Sequence, residues 1–107
     1  MADSEMTLNE YQQKAATTLK PQCNCREYLA MGLAGETGEV MDHLKRIIRG
    51  DREIDDALVA EMGDVLWYLS QLAAFYHITM GDVAKKNLEK LADRQKRGLI
   101  AGSGDKR

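Results

Sequence analysis

The sequence predicts an all-α fold: a four-helix antiparallel bundle that assembles as an oligomer. Three observations predict it. Apolar residues recur at steps of three, four and seven along most of the 107 residues, with no alternating run long enough for a strand. The breaks between periodic stretches are short, the setting in which neighbouring helices run antiparallel. The third stretch carries Val65, Leu66, Trp67, Tyr68 and Leu69 in succession. Five such residues go all the way round a helix, so more than one face must be covered. Three neighbouring helices of one small chain can hardly cover them all, which points to packing across subunits.

Each element has its own signals. The first helix is expected over about 8–19, with Thr7 as N-cap and Glu10 three residues on, a capping-box pattern. Leu8, Tyr11, Ala15 and Leu19 fall at helical spacing, and 20–24, which holds the single proline, reads as a loop. The second helix is expected over about 26–49, with Leu29, Leu33, Val40, Leu44 and Ile47 on one stripe. Gly50 ends it, and Lys45, Arg46 and Arg49 suit its C-terminal dipole. The third is expected over about 55–77, with Asp55 and Asp56 at its acidic start, and the fourth from 79 or 80 to about 96. At ~1.5 Å per residue the two central helices each span on the order of 35 Å. One domain, 1–107, is expected, with a core of about 8–96 and a Gly-rich tail, 98–107, that frays.

Composition narrows the function. Hydrophobic residues make up 44% and charged residues 30%, which is globular rather than disordered. The net charge of −2 argues against binding a nucleic-acid polymer through its backbone. That balance hides an asymmetry. Residues 85–107 hold eight basic and three acidic side chains, net +5, whereas 1–82 hold seven basic and fourteen acidic, net −7. No apolar run approaches 18 residues, so no membrane span is expected. The opening MADSEMTLNEYQQ lacks an apolar signal core, and a cytoplasmic chain is expected. Cys23 and Cys25 are spaced poorly for a disulfide and have no further Cys to complete a zinc set, so free thiols are expected.

The chemistry is carried by four carboxylates within two apolar helices. Glu36 and Glu39 lie in GLAGETGEV, and Glu61 and Asp64 in AEMGDVLWYL. Each pair is spaced i, i+3, so both members project from one face. Glu36 and Glu39 share a sector with Leu29, Leu33, Val40 and Ile47; Glu61 and Asp64 share one with Val65, Tyr68 and Leu72. The acids are therefore expected on faces that meet inside the bundle. No Lys or Arg sits one turn from Glu36, Glu39 or Asp64. Buried carboxylates without partners cost several kcal/mol each, and a divalent cation relieves that. All-oxygen donors suit Mg²⁺, with Mn²⁺ also suited. A di-iron site would need Glu-x-x-His pairs, which are missing here. Gly32, Gly35, Gly38 and Gly63 each cost about 1 kcal/mol in a helix interior relative to Ala. They make sense if a backbone or a ligand must approach closely.

GLAGETGEV, EMGDVLWYL and ITMGDVAKKNLEKLADR together resemble the MazG-like all-α nucleoside triphosphate pyrophosphohydrolases, over about 8–94. Gly35 stands before Glu36 where many members have a second Glu, which is similar to the small dCTP-type and integron-type subgroup. The resemblance implies Mg²⁺-dependent hydrolysis of a nucleoside triphosphate to the monophosphate and pyrophosphate. It implies Glu36, Glu39, Glu61 and Asp64 as metal ligands. It also implies Asn87, Lys90 and Arg94 as residues facing the phosphates. A carboxylate not used as a ligand can accept the proton of the attacking water; Glu39 or Glu36 is the candidate catalytic base. Lys86 lies near Lys90 on the same helix. Trp67 and Tyr68 follow Asp64 by one turn and are candidates for the base pocket, with core or subunit interface as the alternative for Trp67. His43, one turn after Glu39, is expected as a packed, hydrogen-bonded histidine, with contact to the site as the alternative. Tyr11 and Gln12 are further candidates for a base edge. The expected partners are a nucleoside triphosphate and further copies of the chain, as dimer or tetramer. The competing functional reading is a non-catalytic, metal-binding helical assembly or regulatory module.

Overall fold

The computed structural model describes residues 5–98. Among them lie four α-helices: α1 (Leu8–Ala16), α2 (Arg26–Arg49), α3 (Asp56–Phe75) and α4 (Met80–Arg97). No strand is present among the described residues. The tail expected to fray lies, beyond Gly98, outside the described residues.

Local chemistry sets the helix ends. Thr7 and Glu10 form the expected capping box: Thr7 Oγ1 accepts from Glu10 N at 3.0 Å, and Thr7 N donates to Glu10 Oε1 at 2.7 Å. Asp55 caps α3 by accepting from Ala57 N and Leu58 N, and Thr79 caps α4 by accepting from Asp82 N. Gly50 and Gly98 close α2 and α4 in the left-handed region, at φ 88° and 74°. Such a cap suits Gly, which has no Cβ to clash. At the end of α3 the same role falls to His77, at φ 61°, with Ile78 N donating to Ala73 O across the turn.

α1 ends three residues earlier than its periodicity suggests. Thr17 and Thr18 turn their hydroxyls back onto the carbonyls of Lys14 and Ala15, both at 2.7 Å. Side-chain bonds of this kind compete with continued helix. The expected loop at 20–24 contains a single 3-10 turn, Pro21–Cys23. Cys23 and Cys25 are free thiols, as expected.

α2 and α3 form the principal interface. They run antiparallel: Gly32 meets Tyr68 and His43 meets Glu61, so one chain number falls as the other rises. α1 packs on α3 and α4, and α4 also touches α3. No interface of comparable extent joins α2 to α4, so the four helices form an open arrangement within one chain.

The apolar core is small. Ala15, Leu29, Val40, Leu58, Ala73 and Met80 are buried. Gln12, His43, Ser70, Gln71 and Arg94 are buried beside them. The belt expected to be enclosed is only half covered: residues 65–68 are half-buried and Leu69 is exposed.

Gln12 ties α1, α3 and α4 together. Its Nε2 donates to Ser70 O at 2.9 Å and to Ile78 O at 3.0 Å, and its Oε1 accepts from Met80 N at 2.9 Å. Its own carbonyl accepts from Gln71 Nε2 at 3.2 Å. Gln12 therefore occupies the core, and the expectation that it reaches a base edge is corrected. Its side-chain amide is spent on backbone atoms of α3, of the turn after it and of the start of α4. Replacing it with Ala is expected to cost about 2–4 kcal/mol, since each orphaned buried group costs about 1–3 kcal/mol. A urea denaturation series of Gln12→Ala against the unmutated chain measures this.

Candidate active site

The four carboxylates come from the facing helices of the α2–α3 hairpin. Glu36 and Glu61 are half-buried, whereas Glu39 and Asp64 are exposed. The expectation that all four sit inside the bundle is corrected accordingly: they line an open groove. The reason is the open packing described above, because no helix among the described residues covers this side of the hairpin.

The acids still share one field. The Glu36 carboxyl is pushed above its ordinary value, first by burial and then by the charges of Asp64, Glu39 and Glu61. Burial, with Asp64 adding to it, likewise raises the Tyr11 hydroxyl, which places α1 at the edge of the group. Among the described residues no Lys or Arg pairs with any of the four. Lys45 and Arg46 are taken by Asp42, at 3.3 and 3.0 Å.

Glu36, Asp64, Trp67 and Tyr68 line one cavity of about 280 Å³. Four of the residues singled out from the sequence thus meet in one place, two acids and two rings. Trp67 and Tyr68 contact edge to face, with centroids 4.9 Å apart, and Trp67 Nε1 donates to Thr18 Oγ1 at 2.9 Å. That bond fixes the indole from the side of α1. Tyr28 stands 6.1 Å from Tyr68; its hydroxyl is pushed up to about 12 by hydrogen bonding to Tyr68 and then to Cys23. Tyr28 was not legible as a site residue, because only the pairing of α2 with α3 brings it to Tyr68.

The glycines separate into two kinds. A Cβ on Gly32 would lie 2.0 Å from Tyr68 Cε1, so this glycine makes room for the ring. Gly35, Gly38 and Gly63 face open space.

Asn87 and Lys90 line a different cavity, of about 330 Å³, with Val83 and Lys86. Within one chain the structure therefore does not bring them into the acid cavity. Arg94 is buried, at 4% exposure, and has no open place beside them. His43 is buried at 1% exposure and hydrogen-bonded to Glu61, which is the packed reading with a direct link to the acids.

A family model described as the MazG nucleotide pyrophosphohydrolase domain matches residues 25–99. The chain belongs to the MazG family. The match covers α2, α3 and α4, and so all four acids. The chain is also 45% identical over 85 residues to the Gene 37 protein of Mycobacterium phage L5, covering 75% of each chain. No solved structure matches it. An all-helical chain of this family carries a nucleotide pyrophosphohydrolase domain. No helix among the described residues is long and apolar enough to cross a membrane.

MazG-type hydrolysis implies a divalent cation. As the side chains stand, no three His, Cys, Asp or Glu among the described residues converge closely enough to hold one. The donor set nevertheless fits: four carboxylates on facing helices, mutually repelling and unpaired by Lys or Arg, are hard oxygen donors lacking positive charge.

The raised Glu36 carboxyl carries a pH signature. A carboxyl raised on folding keeps its proton longer in the native state, so the native state binds more protons. Stability therefore falls as pH rises from the ordinary value of 4.5 through the raised one, and the penalty is constant above that. Glu36→Gln is expected to remove this fall. Melting temperatures of both proteins from pH 4 to 8 should converge at the acid end, with the variant melting higher at neutral pH.

Proposed function

We propose that the chain is a Mg²⁺-dependent nucleoside triphosphate pyrophosphohydrolase. It releases a (deoxy)nucleoside monophosphate and pyrophosphate, a reaction suited to clearing unwanted nucleotides from the pool. The observation that carries this reading is the cavity shared by Glu36, Asp64, Trp67 and Tyr68. A nucleotide has the same two-part character, an aromatic base joined to an anionic chain that travels with a cation.

Glu36, Glu39, Glu61 and Asp64 would hold Mg²⁺, or Mn²⁺ in its place. A bound divalent cation supplies Lewis-acid polarisation of the phosphoryl oxygens, a more acidic water and charge neutralisation on the leaving group. Trp67 and Tyr68 offer ring faces and edges for stacking the base. Water attacks the α-phosphorus; the new P–O bond forms as the bond to the pyrophosphate oxygen breaks. The water's proton passes to a carboxylate, for which the exposed Glu39 is the proposed acceptor. Asn87 and Lys90, with Lys86, supply the donors and positive charge for the outer phosphates.

The assembly belongs to the same reading. Met31, Met41, Ile48, Val59, Met62 and Leu88 are all exposed, Ile48 at 88%. Against so small a core, that much exposed apolar surface supports a subunit interface. We take its occupant to be further copies of this chain, as a dimer or tetramer.

Two experiments test these readings. The purified chain is incubated with Mg²⁺ and a panel of canonical and modified nucleoside triphosphates, dCTP included, and the products are identified. Pyrophosphate and a monophosphate are expected from at least one substrate, and Asp64→Ala should lose about a hundredfold or more in kcat/KM while remaining folded. No release from any nucleotide would leave the non-catalytic module, and orthophosphate release would replace the reaction class. Sedimentation equilibrium should give two or four times the 12.0 kDa chain mass; a monomer at all concentrations overturns the assembly.

A further inference from the structure

His43 stands apart from the other buried polar groups because it reaches the candidate cation site. Its Nδ1 lies 2.7 Å from Glu61 Oε1, and its Nε2 lies 3.0 Å from the Glu53 carbonyl and 3.6 Å from Asp55 Oδ1. A carbonyl only accepts, so Nε2 carries a hydrogen. The hydrogen of the short contact then lies between Nδ1 and Glu61 Oε1. Among the described residues, Glu61 is the one carboxylate of the four held by a side-chain hydrogen bond. The other end of the imidazole is anchored where α3 begins, since Asp55 is the N-cap of that helix.

We propose that His43 is a positioning residue for the cation: it engages Glu61 Oε1, fixes the carboxylate's rotation and leaves Oε2 as the oxygen offered to a divalent ion. This rests on the reading of Glu61 as a metal ligand. Its physical basis is general. A ligating carboxylate free to rotate loses conformational freedom when it binds, whereas one already held by an outer donor does not, and losing such donors typically costs about 10–100-fold in metal affinity. A buried, doubly anchored imidazole on the facing helix is well suited to the task, because it cannot swing away with the carboxylate. A second consequence follows from the anchor: the turn between α2 and α3 is tied to the orientation of Glu61 through a single ring.

The test measures Mn²⁺ binding to the full chain, without nucleotide, by electron paramagnetic resonance at neutral pH. Two amides separate the ends of the imidazole. In His43→Asn the amide nitrogen falls near the place of Nδ1 and can donate a hydrogen bond to Glu61 Oε1 in its stead; in His43→Gln it falls near Nε2 and keeps only the bond to the Glu53 carbonyl. His43→Gln is expected to weaken Mn²⁺ binding about tenfold or more. His43→Asn should stay within about threefold of the unmutated chain, a rescue that a merely structural role does not produce. Added to Glu61→Gln, His43→Gln should weaken binding by no more than about twofold further, since residues acting through one another are not additive. Mn²⁺ affinity unchanged in His43→Gln, an equal loss in both amides, or additive losses with Glu61→Gln would each overturn the proposal. A folded, unmutated chain that binds no Mn²⁺ would overturn the metal reading itself, and this one with it.

Discussion

Four like charges on two facing helices are the constraint around which this chain is arranged. Left alone, Glu36, Glu39, Glu61 and Asp64 would push α2 and α3 apart. The hairpin is held against that repulsion at two places. Near the turn, His43 spans from α2 to Glu61 and the Glu53 carbonyl. About three turns along α2, Gly32 lets the Tyr68 ring sit directly against the helix backbone. Between these two pins the acids face a groove rather than each other's helix.

The rest of the chain serves the hairpin with little apolar material. Six apolar side chains are buried among the described residues, and five polar ones share the interior with them. Gln12 substitutes directional bonds for missing apolar contact, joining α1 to the last turns of α3 and the start of α4. Buried polar networks of this kind stabilise only when every member is paired. With so small and so polar a core, the apolar belt of α3 stays half covered among the described residues.

The site divides along the same lines. Glu36, Asp64 and the two rings meet in one cavity because a single helix pair carries all of them. The basic residues of α4 line their own groove, because α4 is held through α1 and the end of α3 instead of through α2. The charge asymmetry of the sequence, acidic before residue 85 and basic after it, is thus spread over two neighbouring surfaces. A substrate whose base, phosphates and cation carry different charge and shape is the kind of ligand that such a division suits.

Local rules were enough to read four helices, the cap at Thr7, the acidic start at Asp55 and Asp56, the stop at Gly50, the i, i+3 acid pairs and the rings that follow Asp64. Each of these depends on residues within about one turn of one another, where side-chain spacing and backbone bonding are dictated by the helix itself. Only the tertiary structure decided which glycine makes room for a ring, that Gln12 is spent inside the core, that Glu39 and Asp64 stay exposed, and that His43 grips Glu61. Those outcomes depend on which helix faces which and at what register. Register between helices is set by the summed packing of long-range partners, such as Tyr68 on Gly32, and no single stretch of sequence contains both halves of such a contact.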